Sequence, residues 1–279
     1  MRYIDTHAHV NFSAFKKDSK EVIAKHLQEG IGMVLVGSQF STSKRAVEMA
    51  EKYESQVYAS VGVHPIHLME KQVTEEKDTF KTASEFFDKE RYADLVRGKK
   101  KVKAVGEIGL DYYWISGLSP QEQEKEKTKQ KESLRSQFEF AWEMDLPVIL
   151  HCRKAHWDLI KFLEDLRKKR GRSFEGVVHS FGGNDKQARV YVEMGFYLGF
   201  NGIITYSESY DRAIASVPKE KILLETDCPY LTPAPLSKEE RNEPRNVCYV
   251  ARKIARIWDL PVLEVAEITT RNAKEVLKL

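Results

Sequence analysis

The 279-residue sequence is poor in the residues that interrupt structure. It holds 15 glycines and 9 prolines, together under a tenth of the chain against a usual ~12%. That leaves too little for a flexible interdomain linker or a low-complexity tail, so a single domain spanning 1–279 is expected. Cysteine is scarcer still. Cys152, Cys228 and Cys248 are far apart and form no CxxC, which argues against a disulfide framework and for a reducing compartment. No apolar run approaches the ~18 residues of a membrane span, and the opening MRYIDTHAHV lacks the apolar stretch of a signal peptide. A cytoplasmic protein with no membrane association and no obligate protein partner is therefore expected. Neither sign of charge dominates, with 45 basic against 42 acidic residues and a net +3. That balance excludes a dedicated electrostatic coat for nucleic acid but leaves room for one held in a local pocket. Two motifs are absent as well: no GxGxxG follows the first strand, and no GxSxG elbow offers a serine nucleophile.

What the sequence does have is alternation. Short apolar runs are expected as strands at Tyr3–His9, Met33–Gly37, Val57–Val63, Val102–Glu107, Pro147–His151, Gly176–His179, Gly195–Gly199 and Ile222–Asp227. Amphipathic segments between and after them read as helices: Lys20–Glu29, Ser41–Lys52, Gln121–Glu143, Trp157–Lys168, Asp185–Glu193, Asn246–Trp258 and Leu263–Leu277. Ser41 and Asp185 are the expected N-caps of theirs. The segment Glu70–Lys103 is long for one crossover and is expected to hold one or two helices. Runs such as LPVIL and KILLE are apolar throughout, the pattern of strands buried on both faces of a parallel sheet. Eight strands, each followed by a helix, in ~250 residues make an α/β (β/α)8 TIM barrel.

The chemistry gathers where those strands end. His7 and His9 close the first, two residues apart and so on one side of it. Glu107, His151, His179 and Asp227 close the fourth, fifth, sixth and eighth. Barrel active sites are built from several strands at their C-terminal ends, so four imidazoles and two carboxylates would share one mouth. A lone strand-end histidine is usually structural, but here five of only eight histidines fall at strand ends. Mixed nitrogen and oxygen donors suit divalent ions. Six ligands exceed the three of an open catalytic zinc and are about right for two ions sharing a carboxylate.

These residues stand in recognisable motifs: Asp5-Thr6-His7-Ala8-His9, Gly62-Val63-His64-Pro65, Val105-Gly106-Glu107-Ile108-Gly109-Leu110-Asp111-Tyr112, Leu146-Pro147-Val148-Ile149-Leu150-His151-Cys152-Arg153, His179-Ser180-Phe181 and Leu224-Glu225-Thr226-Asp227-Cys228-Pro229-Tyr230, with Asn242-Glu243-Pro244 in a late loop. In order and over nearly the whole chain, they resemble the TatD family of metal-dependent deoxyribonucleases, within the amidohydrolase-like superfamily. The resemblance implies two divalent ions (Mg²⁺, Mn²⁺ or Zn²⁺), one held by His7, His9 and Asp227 and one by His151 and His179, with Glu107 bridging. Some family members hold a third ion, for which Glu225 is a candidate ligand; a hydrogen-bond partner behind a ligand is the equal alternative. Asp5 shares the strand parity of His7 and His9 and reads as a supporting or lower-layer residue.

The implied activity is hydrolysis of DNA from single-stranded or frayed ends, running 3′ to 5′. Water activated by metal attacks phosphorus, and Asp227 serves as general base. His64 and Arg153, just past strand ends, are candidates to bind the substrate phosphate. Tyr112, Tyr113, Trp114, Tyr206 and Tyr230 near the mouth could stack unpaired bases. The same ions would equally polarise a carbonyl, so an amidohydrolase acting on a small amide, lactone or ester, or on an aminoacyl ester of tRNA, is the alternative. A metal-stabilised scaffold without turnover is the third reading. The basic runs Arg97–Lys103 and Arg167–Arg172 precede strands and so belong to the opposite face. Cys152, of opposite parity to His151, is expected to be a buried thiol.

Overall fold

A computed structural model describes residues 2–75, 78–82, 84–171 and 173–279. In chain order the elements are β1 (Tyr3–Ala8), α1 (Ser19–Gln28), β2 (Ile31–Val36), α2 (Phe40–Ala50), β3 (Val57–Val61), β4 (Gln72–Glu75), β5 (Asp78–Lys81), α3 (Lys89–Val96), β6 (Val102–Asp111), α4 (Pro120–Glu143), β7 (Val148–Arg153), α5 (His156–Arg170), β8 (Gly176–Val178), α6 (Asp185–Glu193), β9 (Tyr197–Phe200), α7 (Asp211–Ala215), β10 (Ile222–Leu224), α8 (Val247–Trp258) and α9 (Val262–Val276). Eight strands form one parallel sheet in the order β1-β2-β3-β6-β7-β8-β9-β10.

The sheet closes through the residues just past β10. Asp227 N donates to His7 O at 2.8 Å, His9 N to Cys228 O at 2.8 Å, and Thr6 Oγ1 to Leu224 O at 3.1 Å. This is the expected (β/α)8 barrel. Its interior is packed by Ile4, Val34, Ala104, Ile149, Val177, Tyr197 and Leu223, with Ala273, Val276 and Leu277 at the end of α9 joining them. A larger apolar layer lies between strands and helices.

The Glu70–Lys103 segment carries, among its described residues, one helix, α3, within the expected one or two; the antiparallel hairpin β4–β5 before it was not expected, and residues 76, 77 and 83 lie outside those described. A short strand pair of mixed polarity has no helical period to distinguish it from a frayed helix. Two local expectations are corrected. Helix α2 starts at Phe40 with Gln39, not Ser41, as its N-cap. Helix α6 is capped by Asn184, whose side chain accepts from Gln187 N at 3.0 Å, and Asp185 is its first helical residue. Asn184 and Asp185 are adjacent residues of similar capping strength, which sequence alone does not rank.

The most consequential departure is in side-chain alternation. In β1, Tyr3 faces the outer layer and Ile4 the interior, which would send His7 outward by simple alternation. The β1–β2 register shifts between Asp5 and Ala8, and His7 turns inward. In β6, Ala104 faces in and Val105 out, and again the register shifts, between Val105 and Ile108, so that Glu107 points in. Irregularities of this kind re-aim side chains next to active sites. Asp5, just before the shift, takes a supporting place: its Oδ1 accepts from His7 N at 3.2 Å. Glu107 also lies inside a strand that runs on to Asp111 rather than at its end.

Candidate metal centre

All six residues expected at strand ends meet at the C-terminal mouth. His7 Nε2 lies 3.2 Å from His9 Nε2, 3.5 Å from Glu107 Oε2 and 3.7 Å from Asp227 Oδ1. His9 Nε2 is 3.2 Å from Asp227 Oδ1 and 4.0 Å from Glu107 Oε2. Four donors 2.0–2.1 Å from one ion in a tetrahedron would be about 3.4 Å apart, so this set fits a single divalent cation. A second set gathers on the other carboxylate oxygen. Glu107 Oε1 is 2.7 Å from His179 Nε2 and 2.9 Å from His151 Nδ1, and those two nitrogens are 3.4 Å apart. Glu107 thus presents one oxygen to each set.

The electrostatics fit the same picture. Burial opposes ionisation of Glu107, yet the His179 imidazole first of all, with the hydrogen bond to His151, holds its carboxyl well below the usual range. Burial would lower the His151 imidazole, but its bonds to Asp111 and Glu107 push it up to about 9. Burial of Asp227 is outweighed by His9, His7 and His179, which lower its carboxyl. The carboxylates draw His151 and His179 toward protonation, and a divalent cation held by these residues would take the place of those protons. The side chains of Asp227 and His151 are 17% and 16% exposed, against 6% or less for His7, His9, Glu107 and His179, so the centre opens to solvent between those two.

Residues 4–278 match the family model described as TatD related DNase. The chain belongs to the TatD family. Among TatD relatives, the uncharacterized metal-dependent hydrolase YabD of Bacillus subtilis is 36% identical over 278 residues, covering 99% of this chain and 98% of its own. The 3′-5′ ssDNA/RNA exonuclease TatD of Citrobacter koseri is 30% identical over 278 residues, covering 97% and 96%. The crystal structure of YjjV, a TatD homologue from Escherichia coli K12, matches with a TM-score of 0.81 and 31% identity, over 100% of this chain and 98% of that one. This TatD protein is a metal-dependent hydrolase.

Around the TatD centre, three further residues take defined places. His64 Nε2 is 3.5 Å from Glu107 Oε1, and its Nδ1 accepts from Ile66 N at 3.0 Å. The proton therefore sits on Nε2, which makes His64 a donor facing the centre as well as an anchor of its own loop. Burial, reinforced by the nearby His151, drives its imidazole down to about 3, so it is neutral. Arg153, at the end of β7, lies on the rim with its guanidinium 3.8 Å over the Tyr113 ring. Glu225 stands behind His179: its Oε1 accepts from Ser180 N at 2.5 Å and lies 3.5 Å from His179 Nδ1. A Cβ on Gly199 would come within 2.2 Å of Glu225 Oε2, so glycine there makes room for the carboxylate. His7, His179 and Glu225 also form a group able to hold a cation.

Asp111 was not singled out from sequence, although it shares strand parity with Glu107. Its Oδ2 lies 3.1 Å from His151 Nε2 and fixes that ring, as carboxylates behind metal-binding histidines do. A Cβ on Gly109 would sit 2.0 Å from His151 O, so glycine lets β6 and β7 approach closely where they carry Glu107, Asp111 and His151. Asp5, fully buried, accepts from Thr226 N at 2.9 Å and Thr226 Oγ1 at 2.5 Å, stitching β1 to the segment that bears Asp227. Asp227 itself has φ +57, a left-handed conformation that acidic residues tolerate better than most.

The remaining expectations fall away from the mouth or to its rim. Cys152 packs in the outer layer, and burial pushes its thiol up to about 12, which removes it as a nucleophile. Of the first basic run, Lys103 Nζ donates to Lys278 O at 2.8 Å, beside the end of α9. The second run forms the last turn of α5; Arg172 lies outside the described residues. Of the five aromatics, Tyr113 and Tyr206 are exposed, whereas Tyr112 bonds Asp158 Oδ2 at 2.9 Å.

Proposed function

We propose that this TatD protein removes nucleotides from the 3′ end of single-stranded DNA, with a pair of divalent ions seated on either side of Glu107. The observation that carries the reading is the division of that carboxylate: Oε2 faces His7 and His9, which Asp227 Oδ1 also approaches, and Oε1 faces His151 and His179. When bound, the ions supply Lewis acidity to the phosphate and lower the pKa of water. The chain's own groups do the rest. Asp227, ionised and the most open carboxylate of the centre, takes the proton of the attacking water. His64 Nε2–H donates to a phosphate oxygen as negative charge grows there, and Arg153 holds a neighbouring phosphate on the rim. Glu225 and Asp111 keep His179 and His151 in their orientations. The activity in the name of the C. koseri relative supports this substrate. A family match over 4–278 and the plugging of the barrel by α9 support one catalytic unit. The described residues contain no helix long and apolar enough to cross a membrane, and three free cysteines agree with a cytoplasmic setting.

The test is a time course on single-stranded DNA labelled at its 5′ end, with Mg²⁺ or Mn²⁺. The expected result is a ladder that shortens from the 3′ end and is abolished by chelator. Asp227→Asn should slow it about 10²–10⁴-fold. Intact DNA with both metals would contradict the substrate and favour carbonyl hydrolysis at the same centre.

A further inference from the structure

The mouth carries an aromatic platform that the hydrolytic centre does not use. Tyr113 follows β6 and is joined to the centre by one carboxylate: its N donates to Asp111 Oδ1 at 2.9 Å, while Asp111 Oδ2 holds His151. Its neighbour Tyr112 packs against the core. Tyr113 instead keeps 40% of its surface exposed. Three cations surround Tyr113 and its neighbour Trp114. The Arg153 guanidinium lies 3.8 Å over the Tyr113 ring, Lys154 Nζ is 5.1 Å from the same ring, and Lys71 Nζ is 4.8 Å over Trp114. Trp114 braces Tyr113 edge-on at 5.1 Å. Lys71 Nζ also donates to Trp114 O at 3.3 Å, tying the segment before the β4–β5 hairpin to the rim.

A rigid ring with an exposed surface, framed by positive charge, fits one chemical class: an unpaired nucleobase flanked by phosphates. The ring and the guanidinium offer stacking surfaces, and the cations neutralise the backbone. Such a seat is closed to a base still inside a duplex, because stacking on protein requires the base to leave its partner. We propose that Tyr113, with Arg153 beside it, is the seat for a nucleobase flanking the scissile phosphate, and that this stacking is what makes the enzyme select unpaired ends. The inference rests on the exonuclease reading above. Tyr113 touches substrate but no reacting atom, so it governs binding and register rather than the chemical step.

The experiment combines substitution with base deletion. Oligonucleotides carrying an abasic site at each of the last three positions in turn are compared with the intact strand, for the wild-type protein, Tyr113→Ala and Tyr113→Phe. Stacking is worth ~1–3 kcal/mol per base, so Tyr113→Ala should raise KM on the intact strand about 5–150-fold, with a smaller change in kcat. Tyr113→Phe keeps the ring and should stay within about 2-fold of wild type in KM, since the stacking face is retained. One abasic position should raise KM for wild type by a similar factor and add nothing in Tyr113→Ala, the signature of two deletions removing one contact. Equal abasic penalties in wild type and Tyr113→Ala would overturn the seat while leaving the exonuclease standing. A wild-type protein that leaves every strand intact would overturn both.

Discussion

At the scale of single residues, what matters is which atom of each side chain faces the centre. His151 and His64 are both imidazoles beside Glu107, yet their other nitrogens assign them different work. Asp111 fixes one His151 nitrogen and leaves Nδ1 toward Glu107, whereas the Ile66 amide occupies His64 Nδ1 and leaves a donor at Nε2. Nothing in the one-letter code distinguishes these cases, because the deciding partners come from another position on the strand or from backbone. The histidines and carboxylates themselves were legible, since metal chemistry needs those types and barrel strands end in few polar residues. Asp111 shares the strand parity of Glu107, but it lies beyond the strand end that the sequence predicts, so nothing there marks it for the site. Asp111→Asn should lower metal affinity at the His151 side about 10–100-fold, the usual effect of losing such a partner, with less change at the His7–His9 side. Competition with a metal-sensitive dye measures this, and equal weakening of both sides would argue against it.

At the scale of elements, the barrel was readable from apolar runs and spacing, but the register shifts in β1 and β6 were not. A shift costs ladder hydrogen bonds and leaves no sequence mark except small residues such as Gly106, yet without it simple alternation would turn His7 and Glu107 away from the axis. The loop after β10 is secured in a way that also escaped the sequence. Arg241 pairs with Asp18, just before α1, at 2.6 Å, and with Glu243 at 3.2 Å, while the buried His26 Nε2 of α1 lies 3.4 Å from Glu243 Oε2. The His26 imidazole and the Arg241 guanidinium hold the Glu243 carboxyl down at about 2. A carboxyl depressed in the folded state stabilises above its unfolded value near 4.5, and that contribution is lost as pH falls toward 2. Because Glu243 is only half-buried, the contribution at pH 7 is discounted to roughly 1 kcal/mol. Glu243→Gln should therefore unfold at a lower temperature than wild type at pH 7, with the gap narrowing as pH falls below 4.5. A gap constant from pH 7 to 3 in thermal melts would contradict the assignment.

At the scale of the whole molecule, the two ends of the barrel have separate duties. One end holds the polar centre; the other is closed by the end of α9, where Leu277 is fully buried with Val276 and Ala273 against Ile4, Val34 and Leu223. Leu277→Ala should cost about 2–5 kcal/mol, as for other buried leucines, and lower the melting temperature while leaving metal stoichiometry intact. Loss of metal with unchanged stability would show that the ends are not independent. The proposed chemistry depends on Glu107 serving two sites. Titration of metal-free protein with Mn²⁺, followed by electron paramagnetic resonance, tests this most directly. Two ions per chain with a spin-coupled signal are expected, falling to a single uncoupled ion or none in Glu107→Gln. Saturation of the wild-type protein at one uncoupled Mn²⁺ would contradict it.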